Sequence, residues 1–420
     1  MNKSVLYIAF HFPPISYSSG YHRTLAFVKF LSHKKWDIQV LTASVNAYPQ
    51  WDKKHYELIP EGVCITRSFS LMTSRHLSLF GRYFGVLALP DNWQSWIISG
   101  VISGLKVIRK QRPEFIISTY PIASAQIIAF LLHKVTKIPW ISDFRDPMML
   151  DDHPNGKLKR TVFNWIEKKT VKHSTKVMVT TTGAKALYKI RYPHKEDSFW
   201  QVIPNGYDDE VFREIDSPAA KEVTNKVRML HSGVIYPSER DPTYLFQAIA
   251  ELKKENQISP NNLEIILRAT GHDVEYESVL EQLNIADIVK ISPSACYSEA
   301  IAEMLEVDIL ILLQADNCNL QIPAKAYEYI RARKPILALT DLNGNTADLL
   351  NKHNISVITP LTDTVKIKLA LIKVIDEYNS NAFKMLTLEE CKQYSRKKQG
   401  VLIEKMLTDC CFDDKLSLGN

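Results

Sequence analysis

Lys325 and Glu328 stand three apart in "QIPAKAYEYIRARKPIL", residues 321–337, just behind Pro323. That spacing puts an ammonium and a carboxylate on one face of a helix. Pro323 is the residue type that opens helices. Both side chains therefore fall near a helix N-terminus, where free backbone N–H groups favour anions. A lysine there can meet a diphosphate as a point charge. An ionised Glu328 can accept from two neighbouring hydroxyls. The competing reading is an ion pair between the two on a solvated helix, worth roughly a few tenths of a kcal/mol.

Other residues sit at the ends of apolar runs. Arg240 follows "MLHSG" by a short loop. A guanidinium there can hold a diphosphate through two parallel bonds, or it can pair with Glu239 or Asp241. Ser18, Ser19 and Gly20 precede a helical stretch. Small residues let a phosphate or sugar approach the backbone, and the same residues can serve as a plain helix cap. Asp143, Arg145 and Asp146 crowd the end of the run "WISDF". They can bind acceptor hydroxyls or hold their loop through an Arg–Asp pair. His11 directly follows the first apolar run, a place for a packed, hydrogen-bonded histidine. Asp208 and Asp209 in "NGYDD" read as turn and cap residues. Neither G-x-G-x-x-G nor G-x-x-x-x-G-K-[ST] occurs, so nicotinamide and P-loop sites are unsupported.

These positions need a scaffold. "SVLYIAF", "DIQVLTA", "FIISTY", "WISDF" and "KVMVTTT" read as buried parallel strands, with helices over 20–34, 95–111 and 124–136 between them. The alternation breaks in the Pro/Gly/Asp-rich stretch 206–226. It resumes with "VRMLHSGV", "LEIILRAT", "DIVKIS", "VDILILLQA" and "PILALT". The fold class is α/β, two Rossmann-like parallel-sheet domains facing a cleft. Expected bounds are 1–210 for the first domain, 211–226 for a linker and 227–375 for the second. Helices over 376–420 are expected to pack back toward the first.

Bulk properties exclude several classes. A chain of 420 residues, 45% hydrophobic and 23% charged, is ordinary for two soluble domains. Apolar runs such as "IIAFLL" are too short to span a bilayer, and "VLYIAF" is too short for a signal-peptide core. Four scattered cysteines and the adjacent Cys410 and Cys411, without Cys-x-x-Cys spacing, argue for reduced thiols. A cytoplasmic protein is expected. Residues 1–210 hold 28 Lys+Arg against 16 Asp+Glu, and the rest hold 24 against 30. The basic half could simply aid solubility, or it could face an anionic membrane surface, with "GRYFGVLAL", Trp93 and Trp96 as contacts. Nucleic acid is not expected, because the basic residues form no dense run.

In order along nearly the whole chain, the motifs resemble those of retaining GT-B glycosyltransferases of the family 4 type, which build bacterial surface polysaccharides such as lipopolysaccharide and capsule. "YIAFHFPPISYSSGYHRTLAFVKFL" looks like that family's opening strand, loop and helix. "LPDNWQSW", "PEFIISTYPIASA" and "IPWISDFRDPMM" resemble a subset with an Asp-x-Arg-Asp-Pro loop, and "VIPNGYDDEVF" looks like the hinge. "LHSGVIYPSERDP" and "IPAKAYEYIRARKPILAL" resemble the donor-binding segments. The resemblance implies catalysis by Lys325, Arg240, Arg145 and Asp143. It implies donor binding by Glu328, Ser19, Gly20, Gly233 and Pro323, and positioning of the acceptor by Asp146 and His11. It implies a nucleotide-diphosphate sugar, a glycan or lipid-linked acceptor, and neither cofactor nor metal. Two departures stand out. Val234 occupies the first of two usual cation positions, and Leu320 the first of two usual glutamates, with Asn317, Asn319 and Gln321 as stand-ins. A nucleotide-sugar epimerase on the same plan, or a binding protein without turnover, are the rival readings.

Overall fold

The computed structural model describes residues 3–16, 18, 20–215 and 226–417, without the side chains of 412–417. Two compact units emerge, Met1–Pro204 with Arg396–Asn420, and Asn205–Ser395.

The first unit carries β1 (Ser4–Ile8), β2 (Asp37–Ala43), β3 (Cys64–Ser68), β4 (Phe115–Thr119), β5 (Trp140–Arg145), β6 (Lys176–Val179) and β7 (Trp200–Val202). They form one sheet in the order β3-β2-β1-β4-β5-β6-β7, and every pairing is parallel. All residues of β1 and β4 are buried, as befits parallel strands covered on both faces. Chain direction across the sheet reverses between β1 and β4, which pair at Val5–Phe115 through Ile8–Ser118. Loops beyond that switch point are where open parallel sheets bind ligands.

The second unit repeats the plan with β8 (Val227–Ser232), β9 (Leu263–Arg268), β10 (Val289–Ser292), β11 (Ile309–Leu313), β12 (Ile336–Leu339) and β13 (Ser356–Thr359). Their order is β10-β9-β8-β11-β12-β13, again all parallel. Its switch point lies between β8 and β11, and the helix Ala324–Ala332 follows β11. Separate apolar clusters fill the two faces of this sheet, one built on Met229, Ile265 and Leu371, the other on Leu230, Leu310 and Tyr329.

The domain bounds differ from the expected ones. The return to the first unit begins at Arg396, not at 376, because the helix Thr364–Asn379 buries Ile367, Leu371 and Val374 in the second core. In the helix Arg396–Ser417, Ile403, Met406 and Leu407 enter the first core. Gly400 is what lets it approach, since a Cβ there would lie 2.3 Å from Phe30 Cγ. Of the expected linker, Val211–Ile215 belong to the helix Asp209–Ile215, whose Phe212 is buried in the second unit. Residues 216–225 lie outside the described residues. The two tryptophans offered as membrane contacts turn inward. Trp96 Nε1 donates to Ser68 Oγ at 2.8 Å and Trp93 Nε1 to the Ala47 carbonyl at 3.1 Å.

Candidate functional site

Two clusters of candidate residues form, one beyond the switch point of each sheet. In the second unit, β8 ends at Ser232 and the chain turns at Gly233 with φ +118°. No L side chain adopts that conformation readily. A Cβ at Gly233 would also lie 2.6 Å from Lys325 Nζ. The missing side chain is thus what brings the lysine against the backbone. Lys325 sits in the first turn of the helix Ala324–Ala332, which starts behind Pro323 with no side-chain cap. The helix lies where the proline and the spacing predict it.

Lys325 does not pair with Glu328. Among the described residues no carboxylate forms an ion pair with its ammonium. Its ammonium lies instead 3.5 Å from His231 Nε2. Burial pushes the Lys325 pKa down to about 7, Arg240 adds repulsion, and Glu328 pulls the other way. Glu328 is instead held by Tyr297, whose hydroxyl donates to Oε1 at 2.8 Å. The two charges are thus held apart, each by a different neighbour.

Arg240 ends the short helix Pro237–Arg240. Its Nη1 donates to the Val234 carbonyl at 2.7 Å, and its guanidinium lies 5.4 Å from the Tyr236 ring centroid. Among the described residues it forms no ion pair, so neither Glu239 nor Asp241 claims it. The residue at the departed cation position, Val234, thus anchors Arg240 through its backbone. Asn317 Nδ2 donates to the Ser238 carbonyl at 3.2 Å, and Asn319 Nδ2 bonds Asp341. Asn319 Oδ1 is buried with no partner among the described residues. Gln321 accepts Gln314 Nε2 on its carbonyl at 3.1 Å.

In the first unit, His11, Gly20 and Arg145 converge. Arg145 Nη1 donates to the Gly20 carbonyl at 2.7 Å, and a Cβ on Gly20 would lie 2.7 Å from His11 Nδ1. Arg145 has φ +57°, and its Nε is buried without a partner among the described residues. Burial lowers the Arg145 pKa, while Asp146 and Asp143 raise it. Burial, and then Arg145, push the His11 pKa down to about 3, so its imidazole is neutral. Ser18 Oγ accepts from Gly20 N at 3.1 Å. Ser19 lies outside the described residues. Asp146 is near enough to act on both Arg145 and Tyr120.

Asp143 differs from the expectation of a residue at the chemistry. It is fully buried and grips Arg23 with both oxygens, Nε to Oδ2 at 3.0 Å and Nη2 to Oδ1 at 3.1 Å. Arg23 also donates to the carbonyls of Ile203 at 2.8 Å and Pro204 at 2.7 Å. The pair ties the first helix to the end of β7. Arg23, His231 and Tyr297 are site residues that no sequence motif marks. An arginine inside the apolar spacing of residues 21–31 is the one available signal for Arg23. No three His, Cys, Asp or Glu side chains gather in a metal-holding group among the described residues.

No family model matches the chain, and no curated protein matches it. Solved structures do. Anabaena HepE in complex with UDP has TM-score 0.67 and 12% identity, covering 97% of this chain and 100% of that one. WaaG, a glycosyltransferase involved in lipopolysaccharide biosynthesis, has TM-score 0.61 and 13% identity over 95% and 99%. UDP-GlcNAc 2-epimerase from Methanocaldococcus jannaschii has TM-score 0.57 and 13% identity over 96% and 99%. The fold is GT-B. GT-B structures with transferase and epimerase names both match over nearly the whole chain, so the likeness assigns architecture and leaves the reaction to the site.

Proposed function

We propose that this chain is a retaining glycosyltransferase that moves a hexosyl group from a nucleotide-diphosphate sugar to a glycan or lipid-linked acceptor. Surface polysaccharide synthesis is the setting, at the cytoplasmic face of an anionic membrane. One observation carries the reading. Lys325 and Arg240 lie close enough to repel each other, neither forms an ion pair among the described residues, and both attend the Gly233 turn. A diphosphate would reverse that repulsion. Glu328, one helical turn along, would take the ribose hydroxyls with the oxygen that Tyr297 leaves over.

In this reading the bond from the anomeric carbon to the diphosphate oxygen breaks while the acceptor oxygen bonds the same face of that carbon. The acceptor proton passes to a diphosphate oxygen, so no protein nucleophile is needed. Lys325 and Arg240 stabilise the charge that grows on the leaving group, which is where preorganised charge is most effective. Gly233 and Pro323 would line the donor in the second unit, and donor binding by Gly20 in the first is what the resemblance adds. Arg145, His11 and Asp146 would position the acceptor, and Asp143 would support them through Arg23. The HepE complexes with UDP and with UDP-glucose support a nucleotide-sugar ligand.

Incubation of the protein with a panel of nucleotide-sugars, with and without a membrane extract, tests this. Transfer that needs the extract, with release of nucleoside diphosphate, is expected. Epimerised donor in the absence of acceptor would replace the reading with an isomerase, and binding without turnover would replace it with a binding protein.

A further inference from the structure

Between Glu61 and Glu114 the sequence has one carboxylate, Asp91, and seven cations, Arg67, Arg75, Arg82, Lys106, Arg109, Lys110 and Arg112. Asp91 is spent internally. It accepts from Ser124 N at 2.7 Å, Ser124 Oγ at 2.9 Å and Trp93 N at 2.9 Å. All the cations except Arg67 are exposed. The stretch is therefore uniformly positive toward solvent.

The same stretch exposes large apolar side chains. Leu79 N donates to the Arg82 carbonyl at 2.8 Å and Arg82 N to the Leu79 carbonyl at 3.0 Å, closing a tight turn around Phe80 and Gly81. Both turn residues have positive φ, +50° and +73°. Glycine or asparagine suits such a place, and a phenylalanine there is unusual. Phe80 is 96% exposed, Leu79 74% and Phe84 80%. The turn is nevertheless anchored, because Thr73 Oγ1 donates to the Leu87 carbonyl at 2.6 Å and Thr73 N to the Asn92 carbonyl at 2.7 Å. In the following helix, Trp96–Gln111, the outward positions continue the pattern, Ile98 and Ile102 first and then Lys106, Arg109 and Lys110.

We infer that this turn and helix dock the first unit onto an anionic lipid surface, with Phe80 and Phe84 entering the headgroup–acyl boundary and the arginines and lysines meeting the headgroups. Exposed aromatics on a held scaffold, in a stretch rich in exposed cations and free of outward carboxylates of its own, match the chemistry of such a surface. A protein partner would be expected to offer carboxylates and a shaped pocket for Phe80, and nothing else along residues 62–113 supplies complementary charge of its own. The inference deepens the proposed function only by naming where a lipid-linked acceptor would be met, since lipid binding requires no nucleotide.

Flotation of the full chain with phosphatidylglycerol–phosphatidylcholine vesicles, and with phosphatidylcholine alone, tests it. The chain should float with anionic vesicles only, less so as salt rises. The double variant Phe80→Ser, Phe84→Ser should lose about tenfold or more in partitioning, with UDP affinity and melting temperature unchanged. Equal flotation with neutral vesicles, or a double variant that floats like the parent, would overturn the inference. So would a parent chain that ignores vesicles but sediments as a dimer dispersed by the double variant, which would make the turn a contact between copies. Loss of UDP binding in the parent would strike the proposed function and leave the vesicle result standing.

Discussion

Lys325 Nζ lies 3.5 Å from His231 Nε2, so a lysine is steered by a neutral imidazole instead of a carboxylate. His231 Nδ1 lies 3.0 Å from the Ile311 carbonyl, and a carbonyl only accepts. In the tautomer that donates Nδ1–H to that carbonyl, Nε2 offers a lone pair to the ammonium. Burial holds the imidazole uncharged, its pKa well below the usual range. An acceptor of this kind orients Lys325 without cancelling its charge.

Binding of a nucleoside diphosphate should therefore take up a proton. With its pKa pushed down to about 7, Lys325 is largely neutral at pH 8 in the free protein. A bound diphosphate favours the charged form and raises the pKa again. The sign follows: affinity is greatest at or below about pH 7 and falls as pH rises through the range between the free and bound values. Calorimetry of UDP at pH 8 in buffers of different ionisation enthalpy should give uptake approaching about one proton. The terminal phosphate, with second pKa ~6, is already ionised there. Lys325→Met should abolish the uptake, and uptake that persisted in that variant would assign the proton elsewhere.

Gly233→Ala should cost donor affinity by a contact, not only by strain. Its backbone sits at φ +118°, and the new Cβ would lie 2.6 Å from Lys325 Nζ. Gly62 provides the control, with φ +83° and nothing within 4 Å of where an added Cβ would stand. Both alanine variants should lose roughly 1–3 kcal/mol of stability. Only Gly233→Ala should weaken UDP binding, by about tenfold or more in a titration.

The legible parts of the chain are those where one local signal suffices. Pro323 and the spacing behind it place a helix over 324–332, and the structure gives Ala324–Ala332. Strands β1, β4 and β11 announce themselves as continuous apolar runs, and all their residues are buried. β3, β7 and β13 give no such signal. Each lies at an edge of its sheet and is short or polar, "CITRS", "WQV" and "SVIT", so it shows no buried run. Pairings over long separations leave no trace in sequence. Asp143 finds Arg23 across 120 residues and Glu328 finds Tyr297 across 31. The late boundary at Arg396 is hidden because one helical pattern follows another from 362 onward, and only burial separates the helix of the second unit from that of the first.

Asp143→Asn should destabilise the protein. Arg23 and Asp143 are both almost wholly buried, and removing the carboxylate charge takes from the buried guanidinium its two charge-assisted bonds. Breaking such a pair costs about 3–5 kcal/mol. A urea midpoint well below that of the parent is expected. The double change Arg23→Met, Asp143→Leu should recover much of the loss. An Asp143→Asn variant of parental stability with a reduced turnover number would place Asp143 at the chemistry after all.

Transfer should not need a divalent ion. Lys325 and Arg240 supply two positive charges for the leaving diphosphate, and a metal would add to a repulsion already present between them. Rates measured with excess EDTA, and with EDTA followed by excess magnesium, should agree within about twofold. A rate that collapsed in EDTA and returned with magnesium would show that the two cations are insufficient.

Kinetics should separate the residues of the Lys325 helix. Ribose hydroxyls are held alike in ground and transition states, so Glu328 should act in binding. Glu328→Gln should raise the donor KM, because hydrogen bonds to a charged group are worth about 1.5–3 kcal/mol. Tyr297→Phe removes one neutral donor from Oε1 and leaves the carboxylate in place. It should raise KM in the same direction but by less, because the carboxylate keeps its charge for the ribose hydroxyls and loses only the donor that orients it. Lys325 meets charge that grows as the sugar leaves. Lys325→Ala should lower kcat by roughly 10²–10³, the scale for removing one preorganised stabiliser. Interactions stronger in the transition state lower kcat and kcat/KM together when lost, and uniform ones change KM alone. Steady-state measurements on the three folded variants with a saturable donor provide the test. A Lys325→Ala variant changed only in KM, or a Glu328→Gln variant with parental KM, would reverse the roles assigned along this helix.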